Sequence, residues 1–247
     1  MEWFEDDSFW RELYPYMFTE ERWAAAPGEA EQILALTNFQ GRSILDLACG
    51  PGRHSVEFAE RGYDVTGVDR TGFLIEMGKQ RAALAGVSVE WVKSDMREFV
   101  RPNSFDLALS MFTSLGYFGT QQEERRVLEN VRESLRPGGT LLVEMAAKER
   151  LAEIWMPANR HSFPDGAVLF ESREVYDDWS RIRQEWTLVK DGRARTFPFT
   201  HSIFSGRELK TELLASGFGD VRLFGDLLGS PFGKGAQRLV ALATKVG

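Results

Sequence analysis

The sequence has very few of the residues that bind metals or form cross-links. It contains one cysteine, Cys49, and three histidines among 247 residues. A single cysteine excludes an intramolecular disulfide and a cysteine-based metal cluster. The histidines, His54, His161 and His201, do not have the HExxH spacing of a zinc hydrolase. We therefore expect no disulfide in the fold and no metal in the site.

The chain also lacks an excess of positive charge and a long hydrophobic run. Its 30 basic residues face 37 acidic ones, and the formal net charge of −7 gives no overall attraction to nucleic-acid phosphates or anionic lipid. The acidic start MEWFEDD is unlike a secretion signal, and the longest uncharged stretch, residues 107–122, is interrupted by Ser, Thr, Gly and Gln. These features predict a cytoplasmic protein that binds neither nucleic acid nor membrane.

Residues 42–143 alternate between short apolar runs and helical stretches. The apolar runs have the length of strands and begin at Ser43, Asp64, Val87, Asp106 and Thr140. The predicted helices between them are Ser55–Arg61, Gly72–Ala85 and Glu123–Leu135. Short buried strands that alternate with helices are typical of a doubly wound α/β fold, a parallel sheet covered on both faces.

The pattern changes after Met145. Three consecutive strands are predicted at Ala167–Tyr176, Arg181–Val189 and Arg195–Phe204, with reversals at Asp177-Asp178 and Asp191-Gly192. A helix at Ser205–Ser216 and strands at Asp220–Phe224 and Arg238–Lys245 then return the chain to the main sheet. Residues 146–204 are thus expected to form an inserted antiparallel sheet, either a cover over the site or a dimerisation surface.

The first part of the chain is rich in aromatic residues. Phe4–Phe18 and Glu29–Leu36 are predicted to be helical, and the first of these segments carries both aromatic and charged side chains. We expect residues 1–40 to act as a lid or cap. The main domain then comprises residues 41–145 and 205–247.

Two acidic residues and two glycines mark a ligand site at the ends of the first two strands. Asp46, Gly50 and Gly52 follow the first strand, and Asp69 ends the second. Ligands of open α/β sheets bind at the carboxyl ends of the strands, where glycine lets a ligand approach the backbone. An acidic residue at the end of the second strand can accept hydrogen bonds from a ribose. The pattern indicates a nucleotide-type ligand.

The same spacing occurs in nicotinamide-binding enzymes, so the loop has to discriminate between two cofactors. Asp46 would repel a pyrophosphate but attract the ammonium and sulfonium groups of S-adenosylmethionine, by about 4 kcal/mol at ~4 Å and an effective dielectric constant of ~20. Ser55 stands where the dinucleotide fingerprint has Gly or Ala. The residues favour S-adenosylmethionine and leave a nicotinamide-dependent oxidoreductase as the alternative.

Together with three later motifs, this loop resembles the class I S-adenosylmethionine-dependent methyltransferases. The later motifs are Asp95-Met96, the run Ser104-Phe-Asp-Leu-Ala-Leu-Ser-Met-Phe and the run Leu135-Arg-Pro-Gly-Gly-Thr-Leu-Leu-Val. The resemblance implies a seven-stranded sheet whose last strand is reversed. It departs from the family pattern at Ala48, where glycine is common.

The resemblance also implies roles for individual residues. Asp46, Ala48, Gly50 and Gly52 would line the methionine part of the cofactor, and Asp69, with Arg70 beside it, would lie at the ribose. Asp95 and the backbone of Met96 would contact the adenine, while Ser110 and Met111 would face the reactive end.

The inserted sheet and the aromatic N-terminal segment resemble the branch that methylates small molecules, which includes amino-sugar and glycine N-methyltransferases. In-line methyl transfer requires alignment of the reactants, and a general base only when the nucleophile arrives protonated. Candidate bases are His201, His161 and Tyr117, in that order. We expect transfer of a methyl group to N or O of a small-molecule acceptor by a monomer or homodimer. A non-catalytic cofactor-binding protein on the same fold is a further alternative.

Overall fold

The computed structural model of the chain describes residues 3–246. A 3₁₀ turn at Trp3–Glu5 precedes the first helix. The helices are α1 (Asp7–Met17), α2 (Glu20–Thr37), α3 (Arg53–Glu60), α4 (Gly72–Ala85), α5 (Gln121–Ser134), α6 (Lys148–Glu153) and α7 (Gly206–Ala215). The strands are β1 (Ser43–Leu47), β2 (Asp64–Asp69), β3 (Glu90–Lys93), β4 (Phe105–Ser110), β5 (Leu135–Met145), β6 (Ala158–Ser162), β7 (Val168–Tyr176), β8 (Arg181–Lys190), β9 (Arg193–Ser202), β10 (Gly219–Phe224) and β11 (Leu239–Thr244).

A seven-stranded sheet forms the centre of the molecule. Its strand order is β10-β11-β5-β4-β1-β2-β3, and β11 runs antiparallel to both of its neighbours. The strands from β1 to β5 are parallel to one another, and β1 and β4 are almost completely buried. The doubly wound α/β sheet with a reversed last strand is therefore confirmed. Its parallel strands all end at one edge, where the predicted ligand residues lie.

The insertion forms a separate four-stranded antiparallel sheet in the order β6-β7-β8-β9, which we call the inserted sheet. The sequence predicted three strands, and the prediction missed β6 because its sequence, Ala-Asn-Arg-His-Ser, has no apolar run and its residues are largely exposed. The short helix α6 was missed as well. The two reversals lie where they were predicted, at Asp177-Asp178 and Asp191-Gly192, and these residues have positive φ angles.

The N-terminal helices pack on two different sheets. In α1, Phe9 and Leu13 are buried against Leu169, Leu188 and Phe197 of the inserted sheet, so α1 and this sheet share a hydrophobic core of their own. In contrast, α2 belongs to the core of the main sheet. It begins nine residues earlier than predicted, because Thr19 caps its N-terminus by accepting a hydrogen bond from the backbone N–H of Arg22.

Of the helices within residues 3–246, none combines the length and the hydrophobicity needed to cross a bilayer.

Candidate active site

A cavity of about 430 Å³ lies at the carboxyl edge of the parallel strands. It is bounded on one side by the ends of β1, β2 and β4, and on the other by α1 and the inserted sheet. Its volume falls within the range of small-molecule and cofactor sites, about 300–1,000 Å³. The cavity brings together nine of the thirteen residues predicted to form the site: Asp46, Ala48, Gly50, Asp69, Arg70, Asp95, Met96, Met111 and Tyr117.

The cofactor loop, residues 46–52, makes a tight turn in the left-handed region. Ala48 has a φ of 55°, Gly50 of 57° and Gly52 of 75°. Gly52 does not line the cavity, and the reason for glycine there is packing: an added Cβ would lie 2.2 Å from the Trp91 ring. The loop at Gly52 is therefore shaped by a tryptophan behind it, on β3.

Asp69 holds the cofactor loop from the end of β2. One carboxylate oxygen accepts a hydrogen bond from the backbone N–H of Gly50 at 2.8 Å, and the other accepts one from the N–H of Thr71 at 2.8 Å. Burial raises the pKa of Asp69, and these two hydrogen bonds oppose the rise. A carboxylate offers about four acceptor positions. With these bonds made, the carboxylate keeps capacity for a hydroxyl donor in the cavity.

Asp46 is buried at the end of β1, with 2% of its surface exposed. Its carboxylate accepts a hydrogen bond from the Ser55 hydroxyl at 2.6 Å. Burial raises the pKa of Asp46, while the charge of His54 and the bond from Ser55 lower it. Ser55 thus orients Asp46. From the sequence alone, Ser55 served only to disfavour a dinucleotide.

Asp95 lies beyond β3 and is surrounded by arginines. Its carboxylate accepts hydrogen bonds from the backbone and guanidinium of Arg97 and a 2.6 Å bond from Arg70. Burial alone would raise the pKa of Asp95, but the hydrogen bonds from Arg97 outweigh it and keep the pKa below its ordinary value. Asp95 is thus a fixed anion at the edge of the cavity.

Ser110, the last residue of β4, and Met111, which follows it, differ in their exposure to the cavity. Met111 lines the cavity. Ser110 is buried beneath it, is not among the lining residues, and its hydroxyl has no hydrogen-bond partner in the described structure. The structure therefore brings Met111, but not Ser110, to the cavity surface.

The half of the cavity away from the cofactor loop is an aromatic wall. Its rings come from the N-terminal segment, the loop after β4 and the inserted sheet: Trp3, Phe9, Trp10, Tyr117, Trp186 and Phe199. Trp3 joins the groups, with ring centroids 5.1 Å from Tyr117 and 4.9 Å from Phe199. Burial raises the pKa of Tyr117 well above its ordinary value. Tyr117 therefore carries its proton at neutral pH.

A charged cluster that the sequence did not predict lies beside the cofactor loop. Glu29 on α2 accepts hydrogen bonds from Arg53 at 2.5 Å and contacts the Nε2 atom of His54 at 2.9 Å. Both the Arg53 guanidinium and the His54 imidazole pack on the Phe112 ring, and all three residues line the cavity. The sequence offered only the adjacent pair Arg53-His54 at the start of α3 as a sign of this cluster. Their partner Glu29 lies 24 residues before Arg53, so the contact could not be read from the sequence.

The other two predicted histidines are not among the residues that line the cavity. His161 is on the exposed edge strand β6, 3.5 Å from Glu171. His201 is buried in β9 and contacts Gln184, which does line the cavity. Burial lowers the pKa of His201 to about 4. The sequence did not single out Gln184, and strand periodicity gives no reason to choose it.

The residues present fit S-adenosylmethionine. Asp69 keeps hydroxyl-accepting capacity at the end of β2, as a ribose requires, and the buried anion Asp46 suits a cationic ligand. The backbone at Gly50 is open to approach, since an added Cβ would meet only the Phe18 ring, at 3.5 Å. Within residues 3–246, no three His, Cys, Asp or Glu side chains are grouped as metal ligands.

Comparison with known proteins agrees with this geometry. Residues 44–139 match the family described as "Methyltransferase domain". The chain is 28% identical over 151 residues to the putative methyltransferase YqeM of Bacillus subtilis, covering 60% of this chain and 58% of that protein. It is 26% identical over 207 residues to the dTDP-3-amino-3,4,6-trideoxy-alpha-D-glucopyranose N,N-dimethyltransferase of Streptomyces venezuelae, covering 82% and 86%.

The fold is shared with a solved methyltransferase. The CcbJ methyltransferase from Streptomyces caelestis superposes with a TM-score of 0.77 at 19% identity, over 90% of each chain. None of these findings supports the nicotinamide-dependent oxidoreductase. The matched domain and the relatives indicate a methyltransferase whose methyl donor is S-adenosylmethionine, and the solved structure shows that the fold is shared.

Proposed function

We propose that this enzyme methylates the nitrogen of a small-molecule amine, of the class to which amino sugars belong. The relative from S. venezuelae is named for an amino-sugar nucleotide, and the match covers 82% of this chain, including the inserted sheet. The sequence predicted methyl transfer to either a nitrogen or an oxygen atom, and this proposal selects nitrogen.

The observation that carries the proposal is the uncharged aromatic wall of the cavity. The lining residues from Trp3 to Phe18, from Thr113 to Phe118 and from the inserted sheet are aromatic, apolar or neutral polar. The arginines of the lining lie outside these segments, and two of them, Arg53 and Arg238, pack on the Phe112 ring. A desolvating environment of this kind disfavours an ammonium ion and favours a neutral amine, which attacks without prior loss of a proton. An alcohol would need a base, and Tyr117 keeps its proton.

S-adenosylmethionine supplies an electrophilic methyl group on a positively charged sulfur. The chain aligns the two reactants and excludes water, which can contribute roughly 7–11 kcal/mol toward the barrier. During transfer the positive charge moves toward the acceptor nitrogen, and ring faces such as those of Trp186 and Phe199 can stabilise a cation by about 2 kcal/mol when it is desolvated.

On this proposal the cofactor half keeps the roles inferred from the family. Asp69 with Arg70 would take the ribose, and Asp95 with the Met96 backbone the adenine. Ala48 and the glycines of the cofactor loop would leave room for the methionine part, with Asp46 facing its positive charges and Met111 near the reactive end. The exposure of these residues to one cavity supports the assignment for all but Gly52 and Ser110.

The domain boundaries and the assembly also remain proposals. We propose that residues 1–40 and 146–204 together cover the acceptor, which is supported by the core that α1 shares with the inserted sheet and by the cavity lining that both segments contribute. Residues 1 and 2 of the expected lid lie outside the described residues. A monomer or homodimer, the cytoplasmic location and the lack of nucleic-acid binding stay predictions.

The test is a pair of acceptors that differ in one atom. The enzyme is incubated with S-adenosylmethionine and either dTDP-3-amino-3,4,6-trideoxy-α-D-glucopyranose or its analogue with a hydroxyl at the same carbon, and a panel of simple primary and secondary amines is run in parallel. Formation of the demethylated cofactor and of methylated product is followed by mass spectrometry. We expect amines to be methylated and the hydroxyl analogue not.

Methylation of the hydroxyl compound with no turnover of any amine would overturn the nitrogen assignment. A matched pair of variants checks the aromatic wall. Trp186→Leu should reduce amine methylation, whereas Trp179→Leu, in the turn between β7 and β8 and outside the cavity lining, should not.

A further inference from the structure

The inserted sheet brings one polar side chain into the aromatic wall. Gln184 on β8 lines the cavity, as do Trp186 and Tyr117, and it is the single member of the lining from this sheet that can hydrogen-bond through an amide. Its register partner on β9 is Phe199, so His201 is its diagonal neighbour on the same face. The Gln184 amide nitrogen lies 2.9 Å from Nε2 of His201.

The other ring nitrogen of His201 fixes the direction of this hydrogen bond. Nδ1 lies 2.9 Å from the backbone carbonyl oxygen of Ser202. A carbonyl oxygen only accepts, so Nδ1 must carry a proton. In the neutral ring Nε2 is then an acceptor, and the Gln184 amide N–H donates to it.

The opposite orientation of the amide is disfavoured by burial. Turning the Gln184 carbonyl toward Nε2 would require protons on both ring nitrogens, which is an imidazolium ion. His201 is 6% exposed, and its burial, with the positive charges of Arg181 and Arg173, disfavours that ion. The imidazole also lies beside two aromatic rings, with centroids 5.1 Å from Tyr117 and 6.4 Å from Phe199. His201, which lies outside the cavity lining, thus determines the orientation of the Gln184 amide.

We propose that Gln184 positions the acceptor by accepting a hydrogen bond from its amine N–H through the side-chain carbonyl oxygen, and that His201 is a positioning residue that holds this carbonyl in place. The inference rests on the proposed nitrogen acceptor. An amine held by one N–H has its lone pair directed away from Gln184, and with that N–H fixed only rotation about the N–H axis remains. His201, the first candidate base from the sequence, then acts without exchanging a proton with the acceptor.

The spectroscopic test needs no acceptor. Imidazole ¹⁵N shifts of His201 are recorded at pH 7 in the wild-type enzyme saturated with the demethylated cofactor product, and His201→Phe supplies the assignment. We expect a neutral ring with the proton on Nδ1. A proton on Nε2 at pH 7, alone or as imidazolium, would overturn the inference whatever the acceptor turns out to be.

The kinetic test uses dTDP-3-amino-3,4,6-trideoxy-α-D-glucopyranose, or the best amine of the panel, as the probe. Gln184→Leu should lower kcat/KM for the amine about 10-fold, the equivalent of one hydrogen bond, while the KM for S-adenosylmethionine is unchanged. His201→Phe should give a smaller loss alone and no further loss in the Gln184→Leu background, because the two residues act as one unit. Additive losses, or full activity of Gln184→Leu, would refute the positioning role.

Glu185→Gln is the matched control. Glu185 is the next residue on β8, faces the opposite side of the sheet and is exposed, so its replacement should change neither constant. If the wild-type enzyme methylates no amine, the proposed nitrogen acceptor fails, while the ¹⁵N spectrum still decides the His201–Gln184 arrangement.

Discussion

Replacement of Gly78 by alanine should destabilise the enzyme, although Gly78 lies within a helix. Gly78 is in α4 with ordinary helical φ, and Gly→Ala at such a position in an open helix contributes about 1 kcal/mol of stability. An added Cβ at Gly78 would lie 2.6 Å from the ring of Trp91 and 3.1 Å from the carbonyl oxygen of Pro51. Either the ring or the cofactor loop has to move.

The ring has little room to move. Trp91 also lies against Gly52 and Gly67, where an added Cβ would be 2.2 and 3.1 Å away. Overpacking of this kind costs about 1–3 kcal/mol, so after subtraction of the helix-propensity gain of about 1 kcal/mol we expect Gly78→Ala to lower the free energy of unfolding by up to about 2 kcal/mol. Because Pro51 is in the cofactor loop, affinity for the demethylated cofactor should fall as well.

The assay is urea unfolding, with calorimetry for the cofactor product. Gly28→Ala is the matched control: Gly28 is in α2 with no atom within 4 Å of the added Cβ, and its replacement should raise stability by up to about 1 kcal/mol. In the double variant Trp91→Leu/Gly78→Ala the cost at position 78 should largely disappear. A stabilised Gly78→Ala enzyme would show that the Trp91 contact does not constrain the helix.

Three further predictions concern the carboxylates and the buried histidine. Asp69→Ala should weaken binding of S-adenosylmethionine and of its demethylated product by about 1.5–3 kcal/mol through loss of charge-assisted hydrogen bonds; unchanged calorimetric affinity in a folded variant would remove Asp69 from the ribose. Asp46→Asn should weaken the positively charged donor more than the product with its neutral sulfur, and equal losses for both would indicate that Asp46 acts only on the loop or the ammonium. His201 has its pKa lowered to about 4, so the unfolded chain takes up a proton first as the pH falls, and stability is lost from about pH 6.5 downward. Wild type should lose about 2 kcal/mol more than His201→Phe between pH 7 and pH 5 in urea unfolding, and equal losses would show that His201 is not held neutral.

The fold could be predicted where local sequence and tertiary context agree. The bounds of α4 match the prediction, and the strands β1, β2 and β4 were visible as short apolar runs with Asp46, Asp69 and Ser110 at or next to their last residues. By contrast, β6 is held by pairing with β7 and has no pattern of its own. An edge strand that owes its structure to its neighbour leaves no signal in its own residues.

The site divides in the same way. Asp46, Asp69 and the glycines follow directly from their positions at strand ends, so the sequence could place them together. Contacts between segments far apart in the chain could not be read from it, as for Glu29 with Arg53 or Gln184 with His201. A histidine that was predicted as a base is instead buried behind an amide.

The core shared by α1 and the inserted sheet has a consequence for how this enzyme could diverge. Phe9, Leu13 and Leu188 are buried in that core, whereas the cofactor loop rests on the cores of the main sheet. On the proposal that α1 and the inserted sheet cover the acceptor, substitutions there lower the stability of a hydrophobic core that is separate from the cores beneath the cofactor loop. The enzyme could therefore change its acceptor during evolution and still bind the methyl donor, because α1 with the inserted sheet and the cofactor loop with the main sheet are stabilised by different hydrophobic clusters.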